Sequence, residues 1–344
     1  MRRRLAIIAA GTDTRMGGVE RFSSNLEEAL EGDHDIERLS PSRIVPRGAA
    51  RFGLKDACQS RDATREFGEG TFDLGISNGT LGWGSPKTIP RIHVFHGTSP
   101  TSAWRNKALP RRERIRSGVS GGVAEWLGGR TVTTVAVSRS AAEEVHRLYR
   151  IKVDAVIENG IDTRLFAPRD QAEARRRLGL REGQKVALFV GRAEPRKGSG
   201  VALEAARAAG FTLAVAGARP VEGATNLGLL SPDELSWAYS AADCVLFPTS
   251  YEACSFVILE ALACGVPLIT TPTAWARDLG ARVGGYSELL VPPRVKEITA
   301  ALQTVRDSRL DSLVTAGREL VEASNSLDSF GSAWRELATR AIRG

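Results

Sequence analysis

The chain alternates short apolar runs with segments of helical periodicity, and it does so in two successive series. The first series opens with the apolar run at residues 5–10, and the second opens with Val186–Val190. Short buried runs that alternate with amphipathic helices are typical of parallel sheets covered by helices on both faces. A chain of 344 residues is also too long for one ordinary core. The sequence therefore predicts an α/β protein with two doubly wound, Rossmann-like domains.

Each series can be divided into individual elements. In the first, a helix with apolar positions at helical spacing begins near Val19 and ends near Gly32, and a later helix has Ser138 as its N-cap. We predict strands of the first series at residues 72–77, 92–96, 132–137 and 155–157. We predict strands of the second series at Val186–Val190, Thr212–Ala216, Cys244–Phe247 and Leu268–Thr270. Residues 159–184 are the predicted crossing between the two domains, and the chain from about residue 299 onward is predicted to be helical.

Composition excludes several classes of protein. No uncharged apolar run approaches the ~18 residues that span a bilayer, and the apolar run at residues 5–10 is too short for the core of a signal peptide. The four cysteines form no C-x-x-C pair and have few histidines nearby, so we expect no metal site. Small buried thiols fit a reducing compartment, and we therefore expect a cytoplasmic protein.

The positive charge is concentrated in the first half of the chain. Residues 1–165 carry 26 Lys and Arg against 20 Asp and Glu, whereas the remainder carries 21 against 20. An anionic partner of the first half, such as a phosphorylated acceptor or a membrane surface, would explain this excess. An Arg-rich solvated surface would explain it equally well. We expect no nucleic-acid partner.

The second half of the chain has one carboxylate just before an apolar helix and another inside that helix. Glu252 lies in a short loop, and Glu260 is the one charge in a predicted helix that begins at Phe256, with Ser255 as N-cap and Gly265 as a left-handed C-cap. A helix this apolar must be buried, and an unpaired buried carboxylate is costly. Glu260 therefore needs a partner, which could be a backbone N–H, an arginine or a ligand hydroxyl.

Two cations follow a strand of the same domain. Arg192 comes directly after the strand Val186–Val190, and Lys197 stands just before the next helix. Ligands bind beyond the carboxyl ends of parallel strands, so this pair suits a diphosphate. We expect Arg196, between them, to point outward.

The first half of the chain contains two further candidates for binding residues. Gly17 and Gly18 stand at a helix N-terminus, where backbone N–H groups can approach an anion. His96 follows a strand and precedes a Gly-Thr turn, so its ring should emerge at the strand end. His93, deeper in the same strand, is expected to be a core or rim residue.

Two other patterns are expected to carry no chemistry. The G-x-S-x-G match at residues 118–122 lacks the buried strand that a nucleophile elbow requires. The Asp33, His34 and Asp35 cluster, which looks like a metal-binding acid pair, is placed in a polar loop after the first helix.

Taken in order, these motifs resemble the GT-B glycosyltransferases of family 4. The matching segments are GGVER at residues 17–21, HGT at 96–98, NGID at 159–162 with Phe166 and Pro168 after it, GRAEPRKG at 191–198, and the E-x7-E pair. Family members usually carry a Gly-Phe-Gly-like run after the first Glu, and this chain has Ala253, Cys254 and Ser255 there.

The resemblance implies an architecture. It implies two Rossmann-like domains facing an interdomain cleft, with an acceptor-binding domain at residues 1–160 and a nucleotide-sugar-binding domain at residues 161–325. The remaining residues, 326–344, would form a helix that crosses back to pack on the first domain.

The resemblance also implies an activity. It implies a retaining, metal-independent, hexosyltransferase-like enzyme that moves a sugar from a nucleoside-diphosphate sugar, by default a UDP-sugar, to a hydroxyl of an unknown acceptor, without a bound cofactor. A sugar-nucleotide epimerase of the same fold and a non-catalytic sugar-nucleotide-binding protein are the alternatives.

Residue roles follow from the same resemblance. The catalytic positions would be His96, Glu252, Arg192 and Lys197, with Glu252 on the sugar hydroxyls and the two cations on the diphosphate. The donor-binding positions would be Gly17, Gly18, Arg192, Lys197, Ser255, Phe256, Val257 and Glu260, with Glu260 on the ribose.

One further segment is unusually basic. It begins at Trp104 and ends at Arg116, and it packs six bases into thirteen residues. A surface helix that lies on anionic lipid at the inner face of a membrane has this composition. Its apolar face is thin, however, and Pro110 interrupts it, so a solvated face or an acceptor-binding loop is the alternative.

Overall fold

The computed structural model describes residues 2–9, 17–41, 55–69, 71–305 and 307–343. The chain forms two compact units. The first is Met1–Gly160 together with Leu327–Gly344, and the second is Ile161–Ser326. Each unit is an α/β layer structure built on one parallel sheet, which confirms the predicted fold class.

The sheet of the first unit has six strands in the order β2-β1-β3-β4-β5-β6. Its strands are β1 Arg3–Ile8, β2 His34–Leu39, β3 Leu74–Asn78, β4 Arg91–Phe95, β5 Thr133–Ala136 and β6 Ala155–Val156. The helices before residue 160 are α1 Gly18–Glu31, α2 Lys55–Glu69, α3 Ser99–Arg105, α4 Arg111–Gly129 and α5 Arg139–Tyr149, with a 3₁₀ turn at Gly79–Leu81.

The prediction of a polar loop at Asp33, His34 and Asp35 was wrong. Residues 34–39 form the edge strand β2, which pairs in parallel with β1. An edge strand has one unpaired side and polar residues facing solvent, so it lacks the continuous apolar run of a central strand. The other elements predicted for the first unit lie within a few residues of those observed, including the α5 N-cap, where Ser138 accepts a hydrogen bond from the backbone N–H of Ala141.

The basic segment at residues 104–116 is not one helix. Trp104 belongs to α3, Pro110 is the N-cap of α4, and α4 then continues to Gly129. The G-x-S-x-G pattern lies inside α4, which confirms that it is no strand-to-helix elbow. None of the helices in the described ranges combines the length and the hydrophobicity needed to cross a bilayer.

The sheet of the second unit has five strands in the order β11-β10-β7-β8-β9. Its strands are β7 Val186–Val190, β8 Thr212–Ala216, β9 Thr225–Gly228, β10 Cys244–Phe247 and β11 Leu268–Thr270. Its helices are α6 Gln171–Arg177, α7 Ser199–Ala208, α8 Pro232–Ala241, α9 Phe256–Ala263, α10 Ala274–Arg282, α11 Val295–Thr304 and α12 Arg309–Ser324, with 3₁₀ turns at Pro195–Lys197 and Tyr286–Leu289. All four predicted strands are confirmed, because strands covered on both faces are apolar throughout. The edge strand β9, which is mostly exposed, was not predicted.

The last helix, α13 Leu327–Arg343, packs on α1 within the first unit. Phe22 of α1 meets the rings of Phe330 and Trp334 edge to face, at centroid distances of 5.7 and 5.8 Å. Arg335 donates a hydrogen bond of 2.9 Å to the carbonyl oxygen of Ala29 at the end of α1. Aromatic pairs of this kind contribute about 0.5–1.5 kcal/mol each beyond their burial, so this helix is an integral part of the first unit.

A buried carboxylate joins three helices of the first unit. Glu125 of α4 accepts hydrogen bonds from the backbone N–H of Ser99 at 2.9 Å and from its hydroxyl at 2.6 Å, and it also accepts from the Tyr149 hydroxyl. Burial raises the pKa of Glu125 from its ordinary value of 4.5 to about 7, although these hydrogen bonds oppose the shift. The carboxylate fixes α3 and α5 on α4.

This raised pKa makes the stability of the first unit depend on pH. Between pH 4.5 and 7 the unfolded chain ionises Glu125 and the folded chain does not, so stability falls as pH rises and is flat above that window. The shift corresponds to a loss on the order of 3 kcal/mol. We expect Glu125→Gln to remove this loss, so that the variant gains stability over the wild type as pH rises from 5 to 8.

Urea unfolding at both pH values measures the difference, with the exposed Glu143→Gln as the matched control. A difference between Glu125→Gln and wild type that is the same at pH 5 and pH 8 would contradict the assignment.

Candidate functional site

The strand order of the second unit reverses between β7 and β10. From β7 the chain continues to β8 and β9 on one side, and then returns to β10 on the other side. In parallel α/β sheets the loops that follow such a pair of strands diverge and leave a crevice for ligands. The loops after β7 and β10 carry the predicted cations and the predicted first carboxylate.

Glu252, in the loop after β10, is the centre of a nearly buried charged cluster. Its Oε1 lies 2.5 Å from the Lys197 Nζ, 3.3 Å from the Arg196 Nη1 and 3.1 Å from the Thr249 hydroxyl oxygen. The three charged side chains are each less than one-fifth exposed. The cluster therefore brings the loop after β7 and the loop after β10 into direct contact.

The two cations keep Glu252 ionised in spite of its burial. Burial by itself favours the protonated acid, but the Lys197 ammonium and the Arg196 guanidinium outweigh it and lower the pKa of Glu252 below its usual value. Glu252 is thus a carboxylate at neutral pH that can accept hydrogen bonds in a site largely shielded from water.

The two arginines of the GRAEPRKG segment are placed differently from expectation. The prediction that Arg196 points outward was wrong, because its side chain is held inside by the Glu252 carboxylate and by the carbonyl oxygen of Tyr251 at 2.9 Å. Arg192 has a side chain that is 54% exposed, and it makes an ion pair of 3.4 Å with Glu194. The structure therefore brings Lys197 and Arg196 to Glu252, and it leaves Arg192 at the solvent-facing rim of the same loop.

Gly198 lets the loop after β7 approach the loop after β10. It has a left-handed φ of +77°, and a Cβ at this position would lie 2.4 Å from the carbonyl oxygen of Pro248. Beside it, the backbone N–H of Ser250 donates a 2.9 Å hydrogen bond to the carbonyl oxygen of Arg196. A glycine is required here because any side chain would push apart the two loops that hold the cluster.

Glu260 lies inside α9 and is 1% exposed. Its Oε2 accepts a 2.7 Å hydrogen bond from the hydroxyl of Tyr239, a buried residue of α8. A tyrosine hydroxyl was not among the partners that the sequence suggested. Tyr239 has no local signal of such a role, because it stands 21 positions away and meets Glu260 only where α8 packs on α9.

The ends of α9 are partly as predicted. Ser255 occupies the N-cap position and is buried. Its side chain makes no capping hydrogen bond to the first turn of the helix, which begins with Phe256 and Val257. At the other end, Gly265 has a left-handed φ of +66°, and the N–H of Val266 donates to the carbonyl oxygen of Ala261. This is the expected glycine termination of the helix.

In the first unit, Gly17 and Gly18 open α1 after β1. Gly17 is the N-cap residue of the helix and has an extended backbone conformation. Residues 10–16, between β1 and this glycine pair, lie outside the described residues. Along the chain, the glycine pair follows the carboxyl end of β1.

His96 follows β4 at the same edge of the sheet. Its Nε2 lies 2.8 Å from Oδ1 of Asn78, whose Nδ2 donates to the carbonyl oxygen of Ile8, and its ring meets Phe22 edge to face at 4.6 Å. Because Asn78 accepts at Oδ1, the neutral imidazole carries its proton on Nε2 and keeps an acceptor lone pair on Nδ1. Burial lowers the pKa of His96 to about 4, so the ring is neutral at physiological pH.

The other residues singled out have structural roles or none. His93 is buried, with its Nδ1 2.9 Å from the Ser77 hydroxyl oxygen, so it is a core residue as predicted. Across the described ranges, no group of three or more His, Cys, Asp or Glu side chains is arranged to hold a metal ion. The four cysteines are all free thiols.

Two family models match the chain in succession. The model of Glycosyltransferase Family 4 matches residues 16–165. The model of Glycosyl transferases group 1 matches residues 170–312, which include the whole Glu252 and Glu260 region. The two matches correspond to the two units of the structure.

Two relatives in sequence are named glycosyltransferases. A D-inositol 3-phosphate glycosyltransferase of Segniliparus rotundus is 28% identical over 306 residues, which are 78% of this chain and 67% of that protein. The protein with the same name in Rhodococcus erythropolis is 30% identical over 282 residues, 71% of this chain and 60% of its own length. The chain thus spans about two thirds or less of these two relatives.

Solved structures share the fold over nearly the whole chain. Sucrose-phosphate synthase from Thermosynechococcus elongatus is 20% identical with a TM-score of 0.82, and the match covers 99% of this chain and 100% of that one. HepE of Anabaena, crystallised in complex with UDP and glucose, is 16% identical with a TM-score of 0.72, over 98% of this chain and 99% of that one. From its two family matches and its GT-B fold, the chain belongs to the glycosyltransferases of group 1 and family 4.

Proposed function

We propose that this glycosyltransferase moves a sugar from a nucleoside-diphosphate sugar to a hydroxyl group of an acceptor, with retention of anomeric configuration and without a metal ion. The observation that carries the proposal is the ionised Glu252 between Lys197 and Arg196, at the point where the strand order of the second unit reverses. A sugar offers hydroxyl donors to the carboxylate, and its diphosphate offers anionic oxygens to the cations.

The donor binds in the second unit, and the acceptor binds in the first. An ammonium group has three donors, so Lys197 can hold Glu252 with one and a diphosphate oxygen with another. Arg192 stands exposed on the same loop and can turn to the same phosphates. Glu252 then accepts from sugar hydroxyls, and Glu260 accepts from the ribose while the Tyr239 hydroxyl orients its carboxylate.

UDP is the nucleotide that we favour. The support is the shared fold with HepE of Anabaena, which was crystallised with UDP and with UDP-glucose. That similarity concerns the fold, so the identity of the nucleotide base is part of the proposal.

The transfer itself needs no protein nucleophile. The bond between the anomeric carbon and the diphosphate oxygen breaks, and the acceptor oxygen bonds to that carbon on the same face of the sugar. The acceptor proton passes to a departing phosphate oxygen. Lys197, with Arg192, stabilises the charge that develops on the diphosphate, which is the kind of preorganised contact worth ~3 kcal/mol.

The first unit contributes two groups. His96 is neutral and keeps an acceptor lone pair on Nδ1, so it can accept a hydrogen bond from a sugar or acceptor hydroxyl and position it, without acting as a nucleophile. The N–H groups at Gly17 and Gly18 lie at the positive end of α1 and suit a phosphate. Four free thiols also support a cytoplasmic location.

The experiment measures donor turnover and nucleotide binding for two site variants. We expect Lys197→Ala to lower turnover about 100-fold, because one contact to the leaving diphosphate is lost. We expect Glu260→Ala to weaken UDP binding by about tenfold or more, because the ribose loses a hydrogen-bond acceptor. Lys296→Ala, an exposed lysine on α11, is the matched control and should behave as wild type.

The outcomes separate the alternatives. If both site variants keep near wild-type turnover with UDP- and GDP-sugars, the site is assigned wrongly. Nucleotide release that is independent of any acceptor would favour a sugar-nucleotide epimerase. Tight donor binding with no turnover across an acceptor panel would favour a non-catalytic sugar-nucleotide-binding protein.

A second variant tests the geometry of the cluster. Gly198→Ala should lower turnover at least about tenfold, because its methyl group would displace the Pro248 carbonyl and separate Lys197 from Glu252. The control is Gly200→Ala, because a Cβ at Gly200 meets no atom within 4 Å. Equal activity of the two variants would show that the approach of the two loops is not needed.

A further inference from the structure

Helix α4 has the reverse of the usual amphipathic pattern. Five of its seven buried residues are glycines, and a Cβ on Gly121 would lie 2.4 Å from the Ser99 hydroxyl oxygen, while one on Gly129 would lie 2.5 Å from the Phe95 ring. Gly118, Gly122 and Gly128 are buried on the same helix. The backbone of the helix therefore lies close to the rest of the first unit, while four of its large apolar side chains are exposed.

Those side chains form a continuous outward stripe. Ile115, Val119, Val123 and Trp126 follow at spacings of four, four and three residues, which places them on one side of the helix. Trp104 of α3 and Leu148 of α5 extend the stripe on the neighbouring helices. All six side chains are between 39% and 62% exposed.

The six residues, which we call the α4 face, line an open groove of about 550 Å³ together with Pro100 and Tyr149. Glu125 of α4 accepts hydrogen bonds from Ser99 of α3 and Tyr149 of α5. These bonds hold together the three helices that carry the α4 face. A contiguous exposed apolar surface with a polar rim is typical of an interaction site.

Cations border the α4 face. Arg112 and Arg116 are exposed one turn apart on α4, and the guanidinium carbons of Arg114 and Arg130 lie over the rings of Trp104 and Trp126, at 5.5 and 4.8 Å. The acids of the helix are Glu113 and the buried Glu125. The surface thus combines an apolar centre, two tryptophans and an arginine border.

We propose that the α4 face docks this protein on an anionic membrane surface. The apolar stripe enters the boundary between headgroups and acyl chains, the tryptophans lie at headgroup level, and the arginines meet lipid phosphates. A second copy of the chain fits less well, because a two-fold contact would place the same arginine border against itself. This docking does not depend on the transfer reaction, since it requires neither donor nor acceptor.

The test is flotation of the full chain with vesicles of phosphatidylcholine alone or of equal parts phosphatidylcholine and phosphatidylglycerol. We expect binding to the anionic vesicles that weakens with added salt. Val119→Glu and Trp126→Ala should each lower vesicle affinity about tenfold or more, through loss of the apolar contact. The double reversal Arg112→Glu with Arg116→Glu should lower it roughly 30-fold or more.

The controls are Leu229→Glu, an exposed apolar residue of the second unit, and Arg181→Glu, an exposed arginine of the same unit. Both should bind vesicles as wild type does. Absence of binding to anionic vesicles at low salt would overturn the proposal, as would equal binding to neutral ones. A solution dimer that Val119→Glu dissociates would assign the α4 face to a second copy instead.

Donor binding, measured separately with UDP, should be unchanged in the α4 variants. Loss of vesicle binding with UDP binding intact therefore tests the docking surface alone. Failure of the transfer reaction in the site variants would leave this result unaffected.

Discussion

The candidate site depends on one interaction, which is the contact of Glu252 with Lys197 and Arg196. These three side chains come from the loops after two neighbouring strands, and each is mostly removed from water. A buried carboxylate without such partners would take up a proton, whereas here the cations keep it charged. The same contact holds the two loops together and keeps a hydrogen-bond acceptor beside two cations, which is the set of groups that the proposed donor would use.

The backbone makes this contact geometrically possible. The strand order reverses between β7 and β10, so the two loops leave the sheet side by side, and Gly198 removes the one side chain that would keep them apart. The second acid is supported in a different way. Glu260 is buried in α9 and oriented by the Tyr239 hydroxyl, so the two acids of the E-x7-E pair have different environments in spite of their closeness in sequence.

The first unit shows a different use of small and large residues. Glycines on the inward side of α4 allow its backbone to lie close to His93 and Phe95, and this leaves valine, isoleucine and tryptophan side chains to face outward. Folding does not require that arrangement, since apolar side chains stabilise a domain only when they leave water. The proposed membrane contact would give it a physical reason, and the arginine border suits an anionic surface.

The sequence by itself determined the fold class, the central strands and the identity of the principal acids and cations, because buried strands are apolar throughout and because charged residues interrupt apolar helices in few places. It did not determine the edge strands β2 and β9, which have one polar side and a weak pattern. Only the tertiary structure decided that Arg196 points inward, that Tyr239 donates a hydrogen bond to Glu260, and that Trp104, Val119 and Leu148 form one surface. Each of these facts joins residues that are distant in the chain or depends on the direction of a loop, and packing between elements sets both.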